Sequence, residues 1–306
     1  MPAYNAEAYI TQTIQWVIEQ TYLNWELIIV DDGSKDNTGQ CVSAFKDSRI
    51  KLLNVANGGA AKARNTAYKY AIGSYIIFFD ADDYIPPNFI ASQMARAEGR
   101  QDVIIMADWG RFYGDDTQRI IREPVGHDEL KADDWVKAYW YCCNPMTNPG
   151  RALIPATLIE TAGLWNETLS LNDDLEFFTR LMLQADKIVL NHDTILGYRS
   201  GVGGLSSALG KTAMLSLYNS ISMSITLVIQ RYGEQQLIRQ CCANMWQGFI
   251  YTAYLSDAEL VSKARLNMLQ LGKPDFPYPA GGITKLLVQL MGWKNANRLK
   301  QFLTGK

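Results

Sequence analysis

The chain has 306 residues, of which 48% are hydrophobic and 20% charged, and its formal net charge is −2. This composition supplies enough apolar surface for a large buried core, and the near-neutral charge gives no general attraction to nucleic acid. The five cysteines and two histidines have neither the spacing of zinc ligands nor the pattern of a disulfide framework, which favours a reducing, cytoplasmic location.

The amino-terminal third alternates helical and strand patterns. Apolar residues at helical spacing predict helices over 6–20, 37–46 and 60–72, and uninterrupted apolar runs predict buried strands at 26–30 and 75–79. Helices that alternate with parallel strands are typical of a doubly wound α/β sheet that binds nucleotides.

Each of the two predicted strands ends in a group of carboxylates. Asp31 and Asp32 follow the first strand, and Asp80, Asp82 and Asp83 follow the second. Because ligands bind beyond the carboxyl ends of strands in open α/β sheets, both groups are expected to face one crevice. Carboxylates buried together need a compensating cation, and an oxygen-only ligand set suits Mg²⁺ or Mn²⁺ carrying a diphosphate. A solvated acidic loop is the alternative for the second group.

Five short motifs follow one another between Pro2 and Asp83. They are Pro2-Ala3-Tyr4-Asn5, Gln20-Thr21-Tyr22, Trp25 to Ser34, Asn57-Gly58-Gly59 with Ala63-Arg64-Asn65, and Phe79 to Asp83. In this order they resemble the signatures of glycosyltransferase family 2. The resemblance implies a GT-A fold with a mixed sheet, a nucleotide-sugar donor, a divalent metal ion and inversion at the anomeric carbon.

Members of that family begin with a full apolar strand before the Pro-x-Tyr-Asn motif, whereas this sequence begins at Met1. We therefore expect the first strand of the sheet to be truncated here, with the native chain either starting upstream of Met1 or being made without most of this strand. Where that strand is short, the backbone groups of its neighbours need other partners.

The resemblance assigns the nucleotide base to the first motifs. Tyr4, beside Pro2, offers a ring face for stacking, and Asp32 offers a carboxylate to an imide N–H, which favours uracil. A position in the core is the alternative for Tyr4. For Asp31, capping of the turn before 37–46 competes with a role in binding.

The later motifs are expected to hold the diphosphate and the metal ion. The Asn57-Gly58-Gly59 turn lets the backbone approach a ligand, and Arg64, one helical turn later, is predicted either to reach the donor phosphates or to be a surface arginine. Asp82 is the predicted principal metal ligand, and Asp80 is expected to contact the ribose or support the metal. Asp83 is able to exchange roles with either.

An acidic pair in the second half is expected to supply the catalytic base. Residues 172–181 resemble the family's acidic pair followed by x-E-F-x-x-R, on a helix predicted over 173–185. Asp174 falls where the family has its base, and Asp173 stands where glutamate is usual, which leaves open which carboxylate acts. The attacking hydroxyl needs such a base. The alternative is an acidic amino-terminal cap that complements the helix dipole.

Residues 197–207 form a glycine-rich segment around Arg199, which predicts either a lid that closes over the diphosphate or an interdomain linker. We therefore divide the chain into a nucleotide-sugar-binding half (1–105), an acceptor and catalytic-base half (106–207) and a helical C-terminal region (208–306).

The C-terminal region has a helical pattern through residue 271. Its stretch 212–230 is apolar but contains serines, a tyrosine and an asparagine, which favours a core helix over a membrane span. After a proline-rich break, the tail 281–306 carries basic residues, no acidic residue, and apolar side chains at helical spacing. We expect it either to lie on an anionic membrane or to pack against the catalytic domain or a second subunit.

Together these features predict an inverting, metal-dependent glycosyltransferase of GT-A type. It is expected to move a sugar from a nucleotide-sugar, a UDP-sugar by the resemblance, to a glycan or lipid-linked acceptor in cell-surface polysaccharide synthesis, in the cytoplasm or at the inner face of the membrane. The alternative is a noncatalytic sugar-nucleotide-binding or scaffold protein on the same fold. The presence of Asp174 together with Asp80 and Asp82 argues against that alternative.

Overall fold

The computed structural model describes residues 1–123, 126–145, 147–202 and 210–304. The amino-terminal strands form a parallel sheet in which the second strand is central. These elements are β1 (Pro2–Ala3), α1 (Ile10–Ile18), β2 (Leu27–Asp31), α2 (Thr38–Ser43), β3 (Ile50–Asn54) and α3 (Ala60–Lys69). The predicted helices therefore form, with shorter bounds than the sequence pattern indicated, and β1 is the short first strand that was expected.

A larger mixed sheet follows, with the strand order β4-β8-β5-β9-β7 and with β6 paired to β5. Its strands are β4 (Tyr75–Ile76), β5 (Val103–Tyr113), β6 (Ile121–Arg122), β7 (Glu129–Leu130), β8 (Ala152–Pro155) and β9 (Lys187–Ser200). The parallel pair β5 and β9 forms its centre, and the other pairs are antiparallel. Because β5 runs through residue 105, the two predicted catalytic halves share a strand.

The predicted strand 75–79 is shorter in the structure, where the paired residues are Tyr75 and Ile76 only. The later residues of that run contribute side chains to the core. Phe78 is buried and meets both Trp165 and Phe177 edge to face, at centroid distances of 5.3 and 5.5 Å. The apolar run therefore ends as part of the core, directly before the acidic group.

Helices cover the mixed sheet and continue into the C-terminal region. They are α4 (Phe89–Ala97), α5 (Ala132–Trp135) with the π-helical turn Val136–Trp140, α6 (Ala156–Ala162), α7 (Asp173–Gln184), α8 (Lys211–Tyr232), α9 (Gln236–Ala253), α10 (Ala258–Leu271) and α11 (Gly282–Thr304). Among the described helices, α8 is long and apolar enough to cross a membrane by length and composition. In the structure α8 packs against α7 and α9, as predicted for a core helix.

Candidate active site

Asp32, which directly follows β2, is hydrogen-bonded to the turn that precedes α3. One of its carboxylate oxygens accepts the Gly58 N–H at 2.8 Å, and the other accepts the Gly59 N–H at 2.8 Å and the Asn57 amide at 3.2 Å. Gly33 allows this close approach, because a Cβ at that position would lie 2.9 Å from the Asn57 nitrogen. The predicted base-binding carboxylate therefore also holds the turn that was predicted to approach the diphosphate.

Tyr4 lies at the carboxyl end of β1, next to this turn. Its side chain is 48% exposed, so it is not a core aromatic residue. Pro2 pairs with Val30 within the sheet, and the Asp32 N–H donates to the Ala3 carbonyl at 2.8 Å. The exposed ring of Tyr4 and the carboxylate of Asp32 thus share the edge where β1 and β2 end.

Arg64, on α3, joins the two predicted halves of the site. Its guanidinium donates to Asp80 at 2.9 Å and to Asp173 at 3.0 Å, and its Cζ lies 4.4 Å from the centroid of the Trp165 ring. The residue is buried, and its Nε has no partner in the described ranges of the chain. Arg64 is therefore an internal bridge between acids that are distant in sequence, and not a surface arginine.

The acidic group after β4 is crowded and largely buried. Burial, followed by the charge of Asp80, raises the pKa of Asp82 to about 6. Burial, with the charges of Asp80 and Asp82, raises the pKa of Asp83 well above its ordinary value. Asp83 is 0% exposed, one of its oxygens accepts the Arg199 N–H at 3.3 Å, and the other has no partner among the described residues. Carboxyl groups arranged in this way favour a compensating cation.

The described residues contain no group of three or more His, Cys, Asp or Glu side chains placed to hold a metal ion by themselves. An oxygen-rich set with one or two carboxylates nevertheless fits Mg²⁺ or Mn²⁺, which take further oxygen ligands from water and substrate phosphates. The side chain of Asp80 is 26% exposed, whereas Asp83 is shielded from solvent. Asp82 is also partly exposed, so an ion that enters from solvent reaches Asp80 and Asp82 more readily than Asp83.

Asp173 and Asp174 open α7 and have different surroundings. Asp173 forms the ion pair with Arg64, and burial raises its pKa although the Arg64 charge opposes this. Asp174 accepts a hydrogen bond from the Thr147 hydroxyl at 2.9 Å. Burial and then the charge of Asp173 raise the pKa of Asp174 to about 6. Asp174 has no ion pair with any residue that the structure describes, and a carboxylate of this kind with a pKa of about 6 is suited to accept a proton.

Arg199 is buried on β9, not in a loop. Its Nε donates to the Asp82 carbonyl at 3.0 Å, and its Nη1 donates to the Gly114 carbonyl and to Asp115, the latter at 3.0 Å. The predicted glycine-rich segment therefore begins as a strand, because residues 197–200 belong to β9 and extended pairing with β5 orders them. Its remaining part, 203–207, lies outside the described residues.

Sequence reasoning did not identify three of the residues that shape this site. Thr147 contacts Asp174, Trp165 supports Arg64, and Asp115 pairs with Arg199. Each lies far along the chain from its partner and belongs to no motif. A local pattern in the sequence therefore carries no signal for them.

Comparison with known proteins gives a consistent result. The sequence model described as "Glycosyl transferase family 2" matches residues 1–146. Glycosyltransferase GlyG of Streptococcus pneumoniae serotype 4 is 30% identical over 223 residues, which cover 67% of this chain and 71% of that protein. The Escherichia coli protein named UDP-Glc:alpha-D-GlcNAc-diphosphoundecaprenol beta-1,3-glucosyltransferase WfgD is 53% identical over 96 residues, which cover 31% of this chain and 38% of that protein.

Among solved structures, S. aureus TarS 1–349 in complex with UDP-GlcNAc matches with a TM-score of 0.69 and 19% identity, over 100% of this chain and 90% of that one. A TarS 1–349 structure in complex with UDP matches with a TM-score of 0.60 and 17% identity, over 88% of this chain and 87% of that one. At these identities the likeness concerns the fold, which is a GT-A fold with a helical C-terminal region, as predicted.

Proposed function

This chain belongs to glycosyl transferase family 2, and we propose that it transfers a sugar from a UDP-sugar to a hydroxyl group of a glycan or lipid-linked acceptor. The observation that carries this proposal is the bridge formed by Arg64, which holds the donor-side Asp80 and the acidic pair at the start of α7 in one network. The names of the relatives support the substrates: WfgD is a UDP-Glc-dependent enzyme acting on a diphosphoundecaprenol, and TarS was solved with UDP-GlcNAc.

The donor base is proposed to stack on Tyr4, the exposed ring at the end of β1. Asp32 already accepts three internal donors, and a carboxylate has about four lone-pair sites. It therefore retains capacity for one further donor, which the N3–H of uracil supplies. The turn from Asn57 to Gly59 brings backbone groups to the same edge, and Pro2 fixes the start of β1 beside it.

The diphosphate and its cation are assigned to the acidic group after β4. Asp82 and Asp80 are the proposed ligands of Mn²⁺ or Mg²⁺, and the buried Asp83 supports them through the Arg199 backbone. When bound, such an ion neutralises the negative charge that develops on the departing diphosphate. Arg199 holds the carbonyl of Asp82 and thereby fixes the loop that carries these carboxylates.

Asp174 is the proposed general base. It accepts the proton of the acceptor hydroxyl while the hydroxyl oxygen bonds to the anomeric carbon and the bond from that carbon to the diphosphate breaks. A single displacement of this kind inverts the anomeric configuration. Asp173 is less suited to this role because its carboxylate is held by Arg64. Thr147 orients Asp174 through its hydroxyl group.

We further propose that α11 touches a membrane surface. Its first half exposes Ile283, Leu286 and Leu290, with Ile283 77% and Leu290 82% exposed, and Lys285 lies among them. The helix is broken at Gly292, where φ is 75°, and Trp293 beyond the break stacks on Tyr278. Trp293 thus packs the start of the second half on the protein, and the first half, with its exposed apolar side chains, is proposed to meet anionic lipids near a lipid-linked acceptor.

A panel of nucleotide-sugars tests the proposed function. With Mn²⁺ present, a UDP-sugar that binds the folded protein should raise its melting temperature more than GDP- or ADP-sugars do. The same donor should then be hydrolysed slowly and transferred to a GlcNAc-diphospholipid acceptor. Stabilisation by a UDP-sugar without hydrolysis or transfer would support a noncatalytic sugar-nucleotide-binding protein instead.

A further inference from the structure

Two serines of α8 are bonded to the loop that leads into the acidic pair. The Ser216 hydroxyl accepts the N–H groups of Ser170 at 2.8 Å and Leu171 at 3.1 Å, and it donates to the Leu171 carbonyl at 2.8 Å. Ser216 is buried, with 4% of its surface exposed. One side chain therefore satisfies three backbone groups of this loop.

Ser220 lies one helical turn later and continues the contact. Its hydroxyl donates to the Asn172 carbonyl at 2.5 Å and accepts from the Asn172 side-chain amide at 3.3 Å. Asn172 precedes α7 and has φ 64° and ψ 27°, which is the left-handed region. That conformation is uncommon for a residue other than glycine and persists where surrounding contacts hold it.

These contacts end directly before Asp173 and Asp174. Apolar side chains of α8, namely Met214, Ile221, Ile225 and Val228, provide its buried packing. The hydroxyl groups of Ser216 and Ser220 make their contacts outside α8. They are directed at residues 170–172, which set the direction in which α7 starts.

We propose that Ser216 and Ser220 are positioning residues, through which the helical C-terminal region sets the orientation of the Asp174 carboxylate toward the acceptor hydroxyl. This inference rests on the proposed role of Asp174 as the base. It assigns a function in catalysis to a segment beyond residue 146, where the match to the family model ends.

Ser224 provides a matched control on the same helix. It lies one turn beyond Ser220 and is fully buried, but its hydroxyl has no partner within the part of the chain that the structure describes. Ser224→Ala removes the same atom from the same face without breaking a contact to the loop. Differences between this variant and Ser216→Ala or Ser220→Ala therefore report on the contacts to residues 170–172.

The experiment uses the full chain and two readouts. The first is hydrogen exchange of the segment 166–180, which should become faster in Ser216→Ala because the Ser170 and Leu171 amides lose their acceptor. The second is steady-state transfer, in which kcat should fall about 10- to 100-fold in Ser216→Ala and Ser220→Ala, with the donor KM and the UDP affinity unchanged. Ser224→Ala should stay within about twofold of wild type in both readouts.

Equal exchange of 166–180 in Ser216→Ala and Ser224→Ala, or an unchanged kcat in both Ser216→Ala and Ser220→Ala, would overturn the inference. A rise in donor KM that matches the fall in kcat/KM would also overturn it, because it would place the effect on donor binding. A wild-type protein that transfers no sugar from any donor, yet shows the exchange difference, would refute the proposed function while confirming that these serines hold the loop.

Discussion

The donor side and the base side of the site are built in different ways. On the donor side, Asp32 and the turn from Asn57 to Gly59 are joined by hydrogen bonds between two consecutive strand-to-helix connections. On the base side, Asp174 depends on Thr147, and the loop before it depends on Ser216. The donor-side contacts join two motifs that the sequence displays, whereas the base-side contacts come from Thr147 and Ser216, which belong to no motif.

The largest effect is expected on the base side. Asp174→Asn should reduce sugar transfer by about 10²- to 10⁴-fold, because asparagine keeps the shape but does not accept the acceptor's proton. UDP affinity and metal binding should be unchanged, as measured by calorimetry.

Asp173→Asn is the matched variant for the acidic pair. It weakens the ion pair with Arg64 but leaves Asp174 in place. Asp173→Asn should therefore retain more transfer activity than Asp174→Asn. If Asp173→Asn is inactive and Asp174→Asn is fully active, Asp173 is the general base instead of Asp174. Asparagine is nearly as good a helix cap as aspartate, so a capping role alone predicts little effect from either variant.

On the donor side, Asp82→Asn should weaken Mn²⁺-dependent UDP binding by at least about tenfold, since loss of even a supporting group costs about 10- to 100-fold in metal affinity. The UDP affinity is measured by titration, once with Mn²⁺ and once with a chelator. In Asp82→Asn the two affinities should be nearly equal. Asp83→Asn is the comparison variant. A larger loss of Mn²⁺-dependent UDP binding in Asp83→Asn than in Asp82→Asn would make the buried Asp83 the principal metal ligand.

Tyr4→Ala should weaken UDP binding by about 1–3 kcal/mol, which is the range for base stacking on an aromatic side chain. Tyr4→Phe keeps the ring and should bind UDP nearly as well as wild type. Because Tyr4 is exposed, neither change should lower the melting temperature appreciably. Equal UDP affinities in the alanine variant and wild type would remove Tyr4 from the donor site.

The smallest expected effect is on the pH profile. Burial raises the pKa of Asp174 to about 6, and the base acts only when ionised. With saturating donor and metal, kcat should therefore be flat above that pH and fall about tenfold for each pH unit below it. The profile should lose this inflection in Asp174→Asn. A wild-type profile that stays flat down to pH 4.5 would contradict the assignment of a base with a raised pKa.

Much of the architecture follows from the sequence. Apolar periodicity placed the helices of the amino-terminal third, because each helix must bury one face, and uninterrupted apolar runs located the strands that end in acids. The family resemblance implied the GT-A fold, which the comparison with TarS shows. The exception was the run 75–79, in which only Tyr75 and Ile76 pair with β8, while Phe78 and Phe79 are buried in the core.

The sequence by itself therefore determined which residue types stand at the strand ends and that a helix carries the acidic pair. Only the tertiary structure decided what these residues contact. Arg64 was predicted to reach the donor phosphates or to lie on the surface, and packing places it, buried, between the partly buried carboxylates of Asp80 and Asp173. Arg199 was expected in a lid, yet it lies buried on β9. Such partners are far apart in sequence, and only folding brings them within hydrogen-bonding distance.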